Sequence, residues 1–473
     1  MIKNFEPVIG IEIHLELNTK TKMFSAIKND FIGEPNTLIS PIDLGYPGTL
    51  PTVNKEAVAK AIKLAKALNM QIDSELHFDR KNYYYTDLPK GFQITQQFRP
   101  IGKDGKIILD LDTYQKEIRI ERIHLEEDTA RQQHNSNETL INYNRAGVPL
   151  IEIVSKPDIR TKEEAIKYVD SIRQIAIFLG ISDAIMAEGS LRADINLSLR
   201  MLGSSNFGNK VEIKNLNSLN NIKKAIEFEI DWQIKKIINN EEIAQETKRF
   251  DESLMQTVSL RSKTDAIDYK YFPEPNIPII KLNKDWVQSI QINELPHQMK
   301  QRFLSLNVPE NFVDQIINNI DYAKFIDAID YYDTLTKVKI FFSEIVPLEK
   351  KLDKKINKLN LNPSNLKKCL ELLENGDISG KQLKQIIPLL VDLNTSVEEL
   401  IESKGLKLIS DENIISNWIN QVKAANPNLL IDYQTREENT TKFIAGEIMK
   451  LSKGQANPKV VMKLIKSILG EKD

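Results

Sequence analysis

Apolar and polar positions alternate over Val8–Leu17. Ile9, Ile11, Ile13, Leu15 and Leu17 fall on one parity, and Gly10, Glu12, His14 and Glu16 on the other. A period of two marks a strand with one face against a core. The pattern returns in Arg192–Leu199, where Arg192, Asp194, Asn196 and Ser198 oppose Ile195, Leu197 and Leu199. It returns again in Val211–Lys214, with Glu212 and Lys214 on the polar side. Leu150–Val154 reads as a strand in which Glu152 is set among aliphatic neighbours, and Ile118–Asp128 as one that ends in three consecutive acids. Helical periods separate these strands. Asn54 is placed to cap a helix reaching about Leu68. Thr161 with Glu164 spells a capping box for a helix ending at Leu179 before Gly180, and Leu219–Asn239 is a long third helix.

From about Glu294 the period becomes helical throughout, as in Pro309–Ile320, Ala323–Tyr332, Leu335–Ile345 and Asn365–Leu373. A second change of character comes near Ile409, and Asn457-Pro458 opens the last helix. These shifts predict domains at 1–293, 294–408 and 409–473. A chain of 473 residues is long enough for several cores.

Composition narrows the function classes. Hydrophobic residues make up 41% and the net charge is −2, as expected for a folded soluble protein without a global field for nucleic acid. The single cysteine, Cys369, excludes disulfide frameworks and thiolate zinc sites. No apolar run reaches membrane-spanning length, and the first residues lack the apolar core of a signal peptide. The cytoplasm is therefore the expected location, or an organellar matrix if the source is eukaryotic. Phosphate-binding GxxxxGK[ST], dinucleotide GxGxxG and zinc HExxH motifs are absent.

The polar parities carry the candidate chemistry. Glu12 with His14, Glu152, Asp194 and Glu212 each put an acid opposite an aliphatic face, and Glu126 or Glu127 adds another. Side chains of adjacent residues on a strand point to opposite faces, so only one of that last pair can share a ligand with the others. Oxygen ligands with a single imidazole suit Mg²⁺ or Mn²⁺ better than zinc. Such a face can hold the metals that bridge ATP phosphates, and Arg192 and Lys214 offer cations for phosphate oxygens. Ser190 and Asn215 lie beside them and join the nucleotide-binding candidates. Asp79–Gln96 mixes Arg80, Lys81 and Lys90 with Tyr83, Tyr84, Tyr85 and Phe92, a surface with cations for phosphate and rings for stacking. Glu246–Ile280 mixes Arg249, Arg261, Lys263 and Lys270 with Asp265, Tyr269, Tyr271 and Phe272. Lys450, Lys453, Lys459, Lys463 and Lys466 form an acid-free basic stretch, read either as a solvated face or as a phosphate-backbone contact.

The segments VIGIEIHLEL, YPGTLPTVN, DRKNYYYTDLPKGFQIT, HLEEDTAR, NRAGVPLIEIVSKPD, EGSLRADINLSLR, VEIKNLNS, ETKRFDE, DYKYFPEP and KGQANPKVV, in that order, cover nearly the whole chain. Together they resemble the GatB family, the B-type component of the heterotrimeric aspartyl/glutamyl-tRNA amidotransferases. The resemblance implies an α+β fold: a glutamine synthetase-like cradle with a mainly antiparallel sheet, then an all-α helical domain and a small helical tail that binds tRNA. It implies ATP-dependent phosphorylation, with Mg²⁺, of the side-chain carboxylate of Glu-tRNA(Gln), Asp-tRNA(Asn) or both. Amidation by ammonia would follow, channelled from an amidase partner that acts as the glutaminase, with a small third partner completing a heterotrimer. On matching positions it implies Glu12, His14, Glu127, Glu152, Asp194 and Glu212 as the metal and ATP set, with Glu126 left open. Lys81 would sit near the channel exit, paired to Glu127, and the tail lysines would hold tRNA. A non-catalytic tRNA-binding scaffold is the alternative. A free-standing ligase for a small amino acid would need neither of the two helical regions.

Overall fold

The computed structural model describes residues 4–30, 32–135, 137–262, 268–391 and 396–470, so Lys263 and Asp265 lie outside the described residues. It divides into two compact units, Met1–Pro296 and His297–Asp473.

The first unit is built on a nine-stranded sheet. Its strands in chain order are β1 (Phe5–Glu16), β2 (Gln71–Ile72), β3 (Gly102–Asp110), β4 (Gln115–Glu127) and β5 (Pro149–Ser155). They continue with β6 (Leu191–Met201), β7 (Val211–Leu216), β8 (Glu246–Asp251) and β9 (Gln256–Ser262). In space they run β9-β8-β7-β6-β1-β5-β4-β3-β2, so β1 is central. Every neighbouring pair is antiparallel except β7 with β8. Ile9, Ile11, Ile13 and Leu15 of β1 are buried in one core with helices α1 (Lys55–Ala67), α2 (Lys162–Phe178) and α3 (Leu219–Ile238), and α2 packs on β1 itself. The opposite face keeps the polar parity. Register pairs Gly10 with Asn196, Glu12 with Asp194 and His14 with Arg192. It also pairs His14 with Glu152, Glu152 with His124, and Asn196 with Glu212. Directly opposite residues share a face, so one sheet surface collects them all.

The helix starts follow their caps. The Asn54 side chain accepts from the N–H groups of Glu56 and Ala57, and Ser218 from that of Asn221. Thr161 accepts from Glu164 N, but the expected capping box is only half made. The Glu164 carboxylate instead accepts from Arg160 N (2.7 Å), Tyr114 (2.7 Å) and Lys116 (2.6 Å). With Lys116 and Tyr114 of the sheet side bonded to this carboxylate, a charge-assisted contact among them, Glu164 ties α2 to the sheet and takes the amide of Arg160 rather than that of Thr161.

The second unit is helical among its described residues. Glu310–Asn318, Ile320–Ala328 and Thr334–Ile340 follow the sequence periods, and the last continues through a π-helical turn, Phe341–Ile345. Towards the C-terminus, Glu412–Ala425, Glu437–Leu451 and Pro458–Gly470 enclose an apolar cluster of their own, with Ile415, Ile419, Ile444, Ile448 and Ile465 fully buried. No helix among the described residues is long and apolar enough to cross a membrane.

Candidate active site

His14, Glu126 and Glu152 meet where β1, β5 and β4 lie side by side. His14 Nε2 is 3.6 Å from Glu126 Oε1 and 3.6 Å from Glu152 Oε2. One ligand atom from each of the three lies within 4.8 Å of the others. His124, buried on β4, approaches Glu152 at 3.2 Å and Glu126 at 3.6 Å through Nε2. Burial works against a charged His124, yet the Glu152 and Glu126 carboxylates raise its pKa to about 9. Burial likewise opposes the Glu152 charge, but His124, His14 and Lys81 hold its pKa well below the usual carboxylate range.

A second acidic group adjoins the first along β1, β6 and β7. Lys214 Nζ lies 3.0 Å from Asp194 and 3.1 Å from Glu212. Glu12 accepts a 2.9 Å bond from Asn196, and Glu212 accepts one of 2.8 Å from Thr247. Burial, together with the negative charges of Glu152, Asp194 and Glu212, raises the Glu12 pKa despite the Asn196 bond. The pairing of β6 with β7 shifts between Ala193 and Ile195, and Asp194 lies in that irregularity opposite Glu12.

Several sequence expectations land elsewhere. Strand β4 runs through Glu127, so parity separates the two candidate acids. Glu126 joins His14 and Glu152, whereas Glu127 turns the other way and is held by Lys90 and by the backbone N–H of Ile94 (3.0 Å). The expected pairing of Lys81 with Glu127 is therefore replaced by Lys90. Lys81 stands over the rings of Tyr269 (4.9 Å) and Tyr83 (5.9 Å). Burial disfavours its charge, but Glu126, Tyr271 and Glu152 hold its pKa above the usual lysine value. Tyr83 packs in this cluster while Tyr84 and Tyr85 are exposed. Arg192 is not a free cation, because it bonds Asp128 at 2.7 Å. Asp128 is shared with Arg145, which also reaches Glu16 at 3.3 Å. Burial and the Asp128 charge push the Glu16 pKa up to about 7. Ser190 spends its hydroxyl on the turn before β6, accepting from Ile185 N at 2.7 Å. The Asn215 side chain lies outside the described residues.

His124 and Arg145 were not singled out from the sequence, and Lys90 and Asp128 entered it only as a surface cation and as the end of an acidic run, without their partners. His124 was within reach, since Arg122, His124 and Glu126 share a parity. The others depend on long-range pairing that no local pattern carries. In the second unit, Lys463 meets Glu412 at 3.1 Å, Lys450 meets Glu447 at 2.6 Å, and Lys459 bonds the Glu374 carbonyl at 3.2 Å. The acid-free stretch is thus partly neutralised, by Glu447 within the same helix and by Glu412 from another. Lys453 and Lys466 have no ion pair with another described residue.

The donor chemistry fits a hard divalent cation. Two carboxylates and one imidazole converge in His14, Glu126 and Glu152, with His124 placed to orient both acids. Glu12, Asp194 and Glu212 form an adjoining carboxylate set, bridged by an ammonium that occupies a cation's place.

Known proteins match this chain along its length. Residues 7–288 match the family described as GatB/GatE catalytic domain, and residues 324–469 the GatB domain. A Mycoplasmopsis pulmonis protein, named as the B subunit of aspartyl/glutamyl-tRNA(Asn/Gln) amidotransferase, is 55% identical over 471 residues, covering 100% of both chains. Proteins of the same name from Mycoplasmopsis agalactiae and Mesoplasma florum are 53% and 46% identical, again over 100% of each. With the catalytic-domain match spanning the acid-lined sheet and the identity running through both units, the chain belongs to the GatB family.

Proposed function

We propose that this chain is the ATP-using subunit of a tRNA-dependent amidotransferase, a ligase acting in translation in the cytoplasm. Its substrate is the side-chain carboxylate of Glu-tRNA(Gln), Asp-tRNA(Asn) or both. A carboxylate is a poor electrophile with no leaving group. Transfer of the γ-phosphoryl group to one of its oxygens, with loss of ADP, makes an acyl phosphate. Ammonia then adds at the carbonyl carbon and phosphate departs, leaving the amide. Ammonia in neutral water is mostly ammonium, which is no nucleophile, so a channelled supply from an amidase partner that hydrolyses glutamine suits the chemistry. A small third partner completes the proposed heterotrimer. We assign residues 1–293 to a glutamine synthetase-like cradle, 294–408 to a helical domain and 409–473 to a tRNA-binding tail.

The observation that carries the reading is the convergence of His14, Glu126 and Glu152 on the polar sheet face of a chain that matches its relatives along their whole length. These residues would hold Mg²⁺ or Mn²⁺, with Glu12, Asp194 and Glu212 as the adjoining set. The cation supplies neutralisation of phosphate charge and alignment of the transferring group. His124 steadies the Glu126 and Glu152 carboxylates in one orientation. Lys81, on the aromatic side of the face, sets a positive charge near Glu126 and Glu152, where a phosphorylated substrate would need it. Lys214 keeps Asp194 and Glu212 apart as a paired unit.

The test is a complex reconstituted with Glu152→Gln. Glutamine hydrolysis and tRNA binding should persist, while transfer of labelled γ-phosphate to Glu-tRNA falls by about 10²-fold or more. Normal transamidation by that complex would leave the chain as a tRNA-binding scaffold.

A further inference from the structure

A straight row of residues crosses the polar sheet face beside the cluster of His14, Glu126 and Glu152. Arg122 of β4 pairs with Val154 of β5, Val154 with Glu12 of β1, and Glu12 with Asp194 of β6. Directly opposite residues share a face, so Arg122 stands on the same side of the sheet as the cluster. Resting on the proposed phosphoryl transfer, we infer that Arg122 holds the side-chain carboxylate of the misacylated tRNA and so distinguishes this acid from the amide product.

Three observations carry the assignment. The first is an unmatched donor. Arg122 is half-buried, its Nε is shut off from solvent without an acceptor, and its side chain forms no hydrogen bond or ion pair with any described residue. Other cations of this face are engaged by acids, Lys214 by Asp194 and Glu212, and Arg192 by Asp128. A buried donor without an acceptor is costly, so this guanidinium is set up to receive an anion from outside the chain. Lys103, exposed and directly opposite on β3, puts a second positive charge beside it. Like charges facing each other across a ladder are unfavourable, and an anion between them reverses the sign of that contact.

The second is position. Adjacent strands lie about 4.8 Å apart, so the row from Arg122 to Asp194 spans about 14 Å. Arg122 is a diagonal neighbour of Glu152, and Asp194 is a diagonal neighbour of His14. The two ends of the row thus approach the cluster from opposite sides. Phosphoryl transfer needs its attacking and leaving oxygens roughly in line, on opposite sides of the phosphorus. The Asp194 end, with Glu12 and Glu212, carries the acids that suit a metal-bound polyphosphate. The attacking carboxylate then belongs at the Arg122 end, where an anion meets a protein cation directly.

The third is local backbone. The pairing of β4 with β5 shifts just past Arg122, between Val154 and Ser155, as the pairing of β6 with β7 shifts around Asp194. Irregular pairings are concentrated next to active sites, where they re-aim a side chain, and each end of this row has one. The chemistry follows from the guanidinium. It meets a carboxylate through two parallel N–H···O bonds. In the amide product one of those oxygens is replaced by an NH2 group, which turns a donor toward a donor. The same contact therefore favours the substrate and releases the product.

The experiment measures equilibrium binding of Glu-tRNA(Gln), Gln-tRNA(Gln) and ATP to the purified complex, with wild-type chain, Arg122→Ala and Arg122→Lys. The wild type should prefer Glu-tRNA(Gln). Arg122→Ala should weaken binding of Glu-tRNA(Gln) by about tenfold or more and leave Gln-tRNA(Gln) and ATP unchanged, so that the preference disappears. Arg122→Lys keeps the charge but loses the paired donors. It should retain part of the preference, and it keeps the test valid if the alanine variant folds poorly. No preference in the wild type, or an undiminished one in both variants, would overturn the inference while the phosphoryl-transfer reading stands. Equal weakening of both tRNAs would make Arg122 a backbone contact, and a loss confined to ATP would assign it to the donor; either result overturns the inference. A wild-type complex that binds ATP and Glu-tRNA(Gln) but transfers no phosphoryl group would overturn the reading and the inference together.

Discussion

Replacing Glu126 and Glu127 one at a time separates two neighbouring carboxylates with different work. Glu126→Gln removes a charge facing His14 and His124, and phosphoryl transfer should fall by about 10²-fold with little change in melting temperature. Glu127→Gln instead leaves the buried Lys90 ammonium without its counter-charge. Breaking a buried pair in this way costs about 3–5 kcal/mol, so the glutamine variant should melt lower and lose phosphoryl transfer only as it unfolds. Thermal melts beside a transfer assay check both, and equal losses of transfer with unshifted melts would refute the division. The same pair shows how far single residues were legible. Strand parity said that only one of them could face His14, but it could not say which parity of β4 lies with the polar parity of β1. That is set by the register of Glu152 between His14 and His124, a pairing between segments far apart in sequence. Arg192 fails for a similar reason. Its charge and face were readable, but Asp128, which pairs with it and is shared with Arg145, lies just past the end of β4, with no local pattern linking it to β6.

At the scale of elements, strands were the most legible feature, because a face buried under helices and a face left polar force a strict alternation. Helix starts were nearly as clear, since Asn54 and Ser218 satisfy amide groups through their own side chains. The irregular pairing at Asp194 was not legible, because a shift in register depends on the partner strand. Nor was the fate of Glu164, whose spacing to Thr161 promised a local bond and whose carboxylate went to Tyr114 and Lys116. That anchor makes a prediction for pH. Burial opposes the Glu164 charge, but Lys116, Tyr114 and the Arg160 amide outweigh it and depress the pKa below its ordinary value of 4.5. A folded-state pKa below the unfolded one contributes stability that is present above the unfolded value and lost as pH falls through the folded one. Glu164→Gln should therefore lower the melting temperature of the chain at neutral pH, and the deficit should shrink as pH drops below 4.5. A deficit that is constant across that range would show that shape, not charge, does the anchoring.

At the scale of the whole molecule, two chemistries are divided between two units. The acid-lined sheet face belongs to Met1–Pro296, and the basic stretch to His297–Asp473. Near-zero net charge hides this division, so only the local patterns revealed it. The basic stretch is also less uniform than its sequence. Lys463 and Lys450 are paired with acids, Lys459 is bonded to a carbonyl, and Lys453 and Lys466 are not engaged in ion pairs with described residues. If the tail grips tRNA through phosphates, the unpaired lysines release the most counterions, because a lysine already paired must first give up its acid. Lys453→Ala and Lys466→Ala should each lower the dependence of tRNA affinity on salt by about one unit of logarithmic slope. Lys463→Ala should lower it by less, since Glu412 already neutralises that charge. Filter binding of the complex to tRNA across a series of salt concentrations reads the slopes directly. Because the tail encloses its own apolar cluster and these side chains lie on its surface, ATP binding should not change in any of the variants. Slopes that fall equally for Lys463 and Lys466 would mean that the Glu412 pair opens when tRNA docks, and unchanged slopes would remove the stretch from the tRNA interface.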